Sequence, residues 1–188
     1  MTLTRIFGVL VVFGLLTVPA RADDISEAID QARKAYQSGD LTNAKQSLDL
    51  ASQLIGQKNA ESFAALLPKP LAGWTAEKAQ TTAVGAIGFG ASVASRTYNN
   101  VKGDHVEVQI TGDSAVVMQI ATLLANPAIA GAMGKLIRIG NQRAIQDPDG
   151  NIKLVIGNKF LVAVDGSADA ASKAAYAQAV DVAKLSKM

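Results

Sequence analysis

The sequence predicts an α+β protein in which an N-terminal αα-hairpin precedes an antiparallel sheet with helices packed on one face. Two observations support this class. Up to residue 67 the apolar residues recur at helical spacing, whereas after residue 73 alternating, strand-like segments are separated by turns that contain glycine. Pro68 and Pro70 divide the two parts, because proline ends a helix and restrains the residue before it.

Residues 1–22 have the features of a signal peptide. Arg5 precedes an apolar run over residues 6–18, and Ala20-Arg21-Ala22 forms a small-x-small cleavage signal. We expect cleavage after Ala22 and a location in the periplasm or outside the cell. The apolar run is shorter than the roughly 20 residues that span a bilayer, so we expect no transmembrane span after cleavage. An uncleaved membrane anchor is the alternative.

Charge and composition exclude several classes of function. The chain has 18 basic and 16 acidic residues, and residues 1–22 hold two of the basic ones and no acid. The processed chain would therefore be neutral, which argues against nucleic acid as a partner. The absence of cysteine and the presence of one histidine exclude disulfides, thiolate nucleophiles and multi-histidine metal sites. We predict no cofactor and no metal.

Residues 23–67 are predicted to form the helical hairpin. The first helix stops at Ser38-Gly39-Asp40 and the second begins near Leu41. The apolar stripes are Ile25, Ala28, Ile29, Ala32, Ala35 and Tyr36 in the first helix, and Ala44, Leu48, Ala51 and Ile55 in the second. Several of these residues, together with Gly39-Asp40-Leu41, stand in the order and spacing of a tetratricopeptide repeat, which the hairpin resembles over about one repeat. The resemblance implies either a peptide-binding module or a hairpin that docks on the following domain.

Residues 68–188 are predicted to form the α+β domain. Asp113-Ser114 begins a helix with a stripe at residues 116, 117, 120, 123 and 124, and a final helix runs from about residue 168 to 185. The predicted strands are Val93–Tyr98, His105–Ile110, Leu136–Ile139, Gln142–Gln146, Ile152–Ile156 and Phe160–Val164.

Two segments carry a wider resemblance. The junction Leu66–Trp74 and the stretch Ile139–Ala144 are similar to those of a set of small exported bacterial proteins of unassigned function. The order of elements in the C-terminal part resembles that of the PsbP/Mog1-like α/β sandwiches. This second resemblance implies a fold and no particular activity.

The sequence offers weak candidates for catalysis and for cation binding. Ser114 follows Gly112-Asp113 as in GDS-type esterases, but a serine nucleophile needs a base, and His105 is the one histidine. We therefore predict no catalytic residue and keep a serine hydrolase as a distant alternative. Asp147–Asn151 places oxygen-bearing side chains at alternate positions, as calcium loops do, or forms a tight turn.

Two glycine- and alanine-rich apolar segments, residues 84–90 and 127–134, are expected to be loops. At one end of the sheet they would form an apolar mouth. The candidate residues for binding a ligand or a partner are Tyr36, Trp74, Ile87, Phe89, Ile129 and Met133. Trp74 is also a candidate core anchor.

The function predicted from these observations is that of a non-enzymatic protein-interaction or envelope accessory protein. Its partner would be another envelope protein or a second copy of the chain. The alternative is a carrier or sensor of a small apolar ligand that binds to the two glycine- and alanine-rich segments.

Overall fold

Two helices, α1 (Asp24–Gln37) and α2 (Leu41–Ala64), form the N-terminal hairpin in the computed structural model, which describes residues 24–83, 91–112 and 114–188. The predicted signal peptide lies outside these residues. Gly39, with φ at +80°, makes the turn between the helices. Asp40 caps α2 by accepting a hydrogen bond of 3.0 Å from the amide of Asn43. This bond holds the pKa of the Asp40 carboxyl below its usual value.

The domain that follows contains one antiparallel sheet, so the predicted α+β class is confirmed. The spatial order of its strands is β1-β3-β4-β8-β7-β6-β5, and β2 pairs with another part of β3. The strands are β1 (Trp74–Ala76), β2 (Gln80–Ala83), β3 (Ser92–Asn100), β4 (His105–Gly112), β5 (Lys135–Ile139), β6 (Gln142–Gln146), β7 (Ile152–Ile156) and β8 (Phe160–Asp165).

Four further helices accompany the sheet in the described part of the chain: α3 (Ala115–Ala125), α4 (Pro127–Met133), α5 (Ala170–Ala179) and α6 (Val182–Leu185). The expectation that residues 127–134 form a loop is wrong for most of that segment, which is helix α4. Asn126 caps α4 by accepting a hydrogen bond of 3.0 Å from the Ala128 amide, and Pro127 occupies the first helical position. The single final helix predicted over residues 168–185 is divided into α5 and α6 by Val180, whose backbone is extended.

The main core lies between one face of the sheet and the helices α2 and α5. Alternate residues of β4, β7 and β8 face these helices and are fully buried, for example Val108, Leu154 and Val162. Phe63 of α2 and Tyr176 of α5 are part of the same core. Thus the predicted packing of helices on one face of the sheet is present.

A smaller group of buried residues lies apart from this core. Val117 and Ala121 of α3 and Ile145 of β6 are buried, but they do not belong to the main cluster. Ile145 alternates with the core-facing Ala144, and Ala121 borders the same groove as Ile145. Helix α3 therefore lies near the face of the sheet opposite to α2 and α5.

Candidate functional site

The helical hairpin exposes a row of large apolar side chains, which we call the hairpin strip. It consists of Ile29 and Tyr36 of α1 and Leu41, Leu48 and Ile55 of α2, which are between 43% and 69% exposed. The members on each helix are seven residues apart, a spacing that returns a side chain to nearly the same side of a helix after two turns.

Both halves of the hairpin strip lie on the same side of the hairpin. The buried residues Ala28 and Ala32 of α1 and Ala44 and Ala51 of α2 mark the faces on which the helices meet. Projected at about 100° per residue, the members of the strip are displaced from these alanines by roughly 30–80° in the same rotational sense on both helices. Because the helices are antiparallel, the same sense places both sets on one side.

Helix α1 buries few large apolar side chains. It packs on α2, and its buried residues are two alanines, whereas its larger apolar side chains Ile29 and Tyr36 are exposed. An isolated helix of this length is marginal in water, and an amphipathic helix normally buries its large apolar residues. The hairpin therefore presents an apolar side suited to contact with another molecule.

Each helix of the hairpin contains one pair of oppositely charged side chains in contact. Arg33 contacts Asp30 at 3.0 Å in α1, and Lys45 contacts Asp49 at 2.7 Å in α2. Each pair is neutral overall, so neither pair adds net charge to the hairpin. The five members of the strip are themselves uncharged, which suits an apolar contact with a protein.

Trp74 serves as an anchor at the edge of the core. It is half-buried and meets Tyr176 edge to face, with ring centroids 5.4 Å apart. Tyr176 also packs against Tyr98 at 4.4 Å. The hydroxyl of Tyr98 donates a 2.6 Å hydrogen bond to the Pro68 carbonyl, and the hydroxyl of Tyr176 accepts one of 3.2 Å from the Leu71 amide. The three aromatic residues thus hold the proline-containing junction against the sheet.

Of the other candidate binding residues, Ile129 and Met133 are not brought together with the hairpin. Ile87 and Phe89 lie outside the described residues. Ile129 and Met133 lie one turn apart on α4 and are partly exposed. Helix α4 packs on β5 and β6, whereas α2 packs on β2 and β3 at the other end of the strand order. The apolar mouth formed by both glycine- and alanine-rich segments stays a prediction.

The structure separates Ser114 and His105, the two residues of the alternative serine-hydrolase hypothesis. Strand β4 begins at His105 and ends at Gly112, and Ser114 lies beyond its far end at the start of α3. At about 3.4 Å per residue the strand alone holds them roughly 24 Å apart, so His105 cannot activate Ser114. Instead His105 Nδ1 lies 3.0 Å from the hydroxyl of Ser167, which also accepts a hydrogen bond from the His105 amide. No motif in the sequence marks Ser167.

The turn at residues 147–151 is held by a buried lysine. The Asp147 carboxylate accepts hydrogen bonds of 2.8 and 3.0 Å from the amide and side chain of Asn151. Lys173 of α5 is 2% exposed, and its ammonium donates to the Asp149 carbonyl at 2.8 Å and to Asn151 Oδ1 at 2.7 Å. The side-chain oxygens of Asp147 and Asn151, two of the three residues proposed to bind a cation, thus already accept hydrogen bonds from within the chain. Among the described residues, no group of three or more acidic or histidine side chains is placed to hold a metal.

A groove on the face opposite to the core, which we call the sheet groove, was not found from the sequence. It has a volume of about 370 Å³. Its walls combine aliphatic, cationic and amide side chains. The lining residues are Ala121, Leu136, Asn141, Gln142, Arg143, Ala144, Ile145, Lys153, Val155 and Asn158. The sequence did contain one signal for it, since Arg138 and Arg143 stand symmetrically around the Gly140-Asn141 turn.

Within the described ranges, no helix combines the length and the apolar composition needed to cross a membrane. Comparison with known proteins found no matching family model, no matching curated protein and no matching solved structure. The resemblances to a tetratricopeptide repeat, to the PsbP/Mog1-like sandwiches and to small exported proteins therefore stay predictions.

Proposed function

We propose that this chain is a non-enzymatic accessory protein of the cell envelope, which binds a partner protein through the hairpin strip. The observation that carries the proposal is the exposure of five large apolar side chains on one side of a hairpin whose own seam buries alanines. The signal-peptide features of residues 1–22 support export to the periplasm or beyond. The partner is another envelope protein or a second copy of the chain.

The arrangement of the hairpin suits the binding of a helix. Side chains that recur every seven residues on two antiparallel helices form parallel rows, and an amphipathic helix lays its apolar side into such a surface. Burying a large aliphatic side chain completely contributes about 1.5–3 kcal/mol, so covering the exposed half of each member contributes roughly 1 kcal/mol. This gain is offset in part by the entropy lost on association. Such a balance is typical of a reversible interaction.

Helix α2 supplies a matched pair of variants for the test. Leu48 lies in the hairpin strip and is 55% exposed, whereas Leu50 is 46% exposed on another side of the same helix. Leu48→Asp places a charge in the proposed interface, and Leu50→Asp places the same charge outside it. We expect both variants to fold, because an exposed residue is replaced in each.

The measurement is crosslinking in intact cells followed by identification of the crosslinked products by mass spectrometry. Leu48→Asp should remove a product that wild type and Leu50→Asp both give. The mass of that product distinguishes a different protein from a second copy of the chain. If Leu48→Asp retains every crosslink of the wild type, the hairpin strip is not the binding surface. Circular dichroism of both purified variants verifies that the helices are retained.

A further inference from the structure

The sheet groove lies over strands β5, β6 and β7, on the face that α2 and α5 leave uncovered. Residues that alternate with the core-facing ones point into it. The register places Leu136 opposite Ile145, and Ile145 opposite Lys153. Ala121 of α3 closes one side. The groove is therefore built on paired strands, which hold its side chains in fixed relative positions.

Two arginines face each other across the β5–β6 hairpin and line a depression beside this groove. Arg138 is the direct cross-strand partner of Arg143, and Arg143 lines the groove. Like charges directly opposite each other in a sheet are destabilising. In the described part of the chain the ion pairs are Arg33 with Asp30, Lys45 with Asp49, and Lys184 with Asp181, so none of them neutralises either arginine.

The remaining groups of the groove also favour an anion. Lys153 adds a third positive charge. Burial raises the pKa of Asp165, and the positive charge of Lys153 lowers it, so these two side chains interact. Asp165 thus offsets part of the charge on Lys153. In the described part of the chain, no ion pair involves either arginine. The polar groups that line the groove are amides and cations, and the part of the chain that the structure describes adds no carboxylate to the lining. Guanidinium groups bind carboxylates through paired, charge-assisted hydrogen bonds.

The apolar part of the groove indicates the chemistry of the ligand beyond its anionic group. Leu136, Ile145, Val155 and Ala121 are aliphatic, and no aromatic ring from the described residues lines the groove for a planar ligand to stack on. The volume of about 370 Å³ is near the lower end of the range of small-molecule sites. An unbranched alkyl chain of medium length fits within this volume and matches the aliphatic lining.

We propose that the sheet groove binds a straight-chain carboxylate of medium length. Its carboxylate contacts Arg138 and Arg143, and its alkyl chain lies over Leu136, Ile145 and Val155. Binding relieves the repulsion between the guanidinium groups and covers the exposed side chain of Leu136. This site is separate from the hairpin strip and does not depend on the function proposed for it.

The test uses decanoate, with decanol as an uncharged probe of the same chain length. Both are titrated into the purified protein, and the amide resonances of β5, β6 and β7 are followed by NMR. Decanoate should shift these resonances in a saturable way, and decanol should bind at least tenfold more weakly. Equal affinities for the two probes, or no saturable shift with decanoate at millimolar concentrations, would overturn the proposal.

Two variants identify the residues responsible. Arg143→Gln should weaken the binding of decanoate at least tenfold and leave that of decanol unchanged, because it removes the charge and keeps the apolar floor. Arg33→Gln, which changes an exposed arginine of the hairpin, should alter neither affinity. Unchanged decanoate affinity in Arg143→Gln would contradict the proposal.

A second measurement on Arg143→Gln separates loss of binding from loss of folding. Without ligand, its denaturation midpoint should equal or exceed that of the wild type, because one of two opposed like charges has been removed. Added decanoate should raise the midpoint of the wild type and not that of the variant. A lower midpoint for the unliganded variant would show that the two arginines do not repel each other, which would refute the argument from charge.

Discussion

Tyr98 links the stability of the fold to pH in a way that can be tested directly. Its side chain is fully buried, and burial raises the pKa of its hydroxyl to about 12. In an unfolded chain a tyrosine has a pKa of about 10. Because the folded value is the higher one, the stabilising effect is fully present below about pH 10 and is lost as the pH rises through about 12. Two pKa units correspond to about 3 kcal/mol.

The variant Tyr98→Phe keeps the ring and removes the titrating group. At neutral pH it should be less stable than the wild type by about 1–2 kcal/mol, because the Pro68 carbonyl loses its 2.6 Å bond and keeps only the contact with Arg96 at 3.3 Å. Above about pH 10 the wild type also loses the roughly 3 kcal/mol associated with the raised pKa. The order of stability should therefore reverse between about pH 10 and 12, with the phenylalanine variant the more stable at high pH.

Urea unfolding measured at intervals from about pH 9 to pH 12 follows this difference. All residues other than residue 98 are the same in the two proteins, so the difference in their free energies of unfolding reports on Tyr98. Tyr36→Phe is the control for the loss of a tyrosine hydroxyl, since Tyr36 is 69% exposed. If the difference between the wild type and Tyr98→Phe is constant over the whole range, Tyr98 does not act as a buried, protonated donor.

Two further predictions concern packing and burial, and both are measured by chemical denaturation. Lys173→Met should lower the free energy of unfolding by about 2 kcal/mol, because two buried oxygens lose the ammonium that they accept from; Lys159→Met, at an exposed site, should change it by less than about 0.5 kcal/mol. If Lys173→Met has the same free energy of unfolding as the wild type, the Lys173 ammonium does not stabilise the turn at residues 147–151. Gly112→Ala should cost about 1–3 kcal/mol, since the added methyl would lie 2.7 Å from the ring of Phe63. Gly131→Ala in α4, where nothing lies within 4 Å, should stabilise by up to about 1 kcal/mol, and equal effects of the two alanines would contradict the packing argument.

The sequence predicted those strands that have one buried and one more exposed face. Strands β4, β7 and β8 alternate as expected, and residues 157 and 158 both take positive φ in the turn between β7 and β8. Strands β1 and β2 were missed. Each is three or four residues long, and most of their side chains are exposed, so they have no hydrophobic period. Their pairing with β3 is decided by tertiary contact.

The candidate sites were harder to predict than the strands, because their chemistry depends on which residues the fold brings together. A lysine within a helix is normally expected on its exposed side, yet Lys173 is buried because the turn at residues 147–151 supplies its acceptors. In the hairpin, the sequence showed the apolar stripe of each helix. It did not show which residues of the stripe are buried between the helices and which are exposed. Alanines fill the seam because small residues allow the helices to approach closely, and this leaves Leu48 and Ile55 half-exposed.

The two proposed surfaces are separated by the width of the sheet. The hairpin packs on β2 and β3, and the sheet groove lies over β5, β6 and β7, with β4 and β8 between them. Effects of substitutions at distant sites without shared partners are additive. Leu48→Asp should therefore leave the binding of decanoate unchanged, and Arg143→Gln should leave the crosslinked products unchanged. If a ligand in the groove altered the partners of the hairpin, the two surfaces would have to be coupled through β4 and β8. The core-facing residues of these strands are buried against α2 and α5 and form a continuous packed route for such coupling.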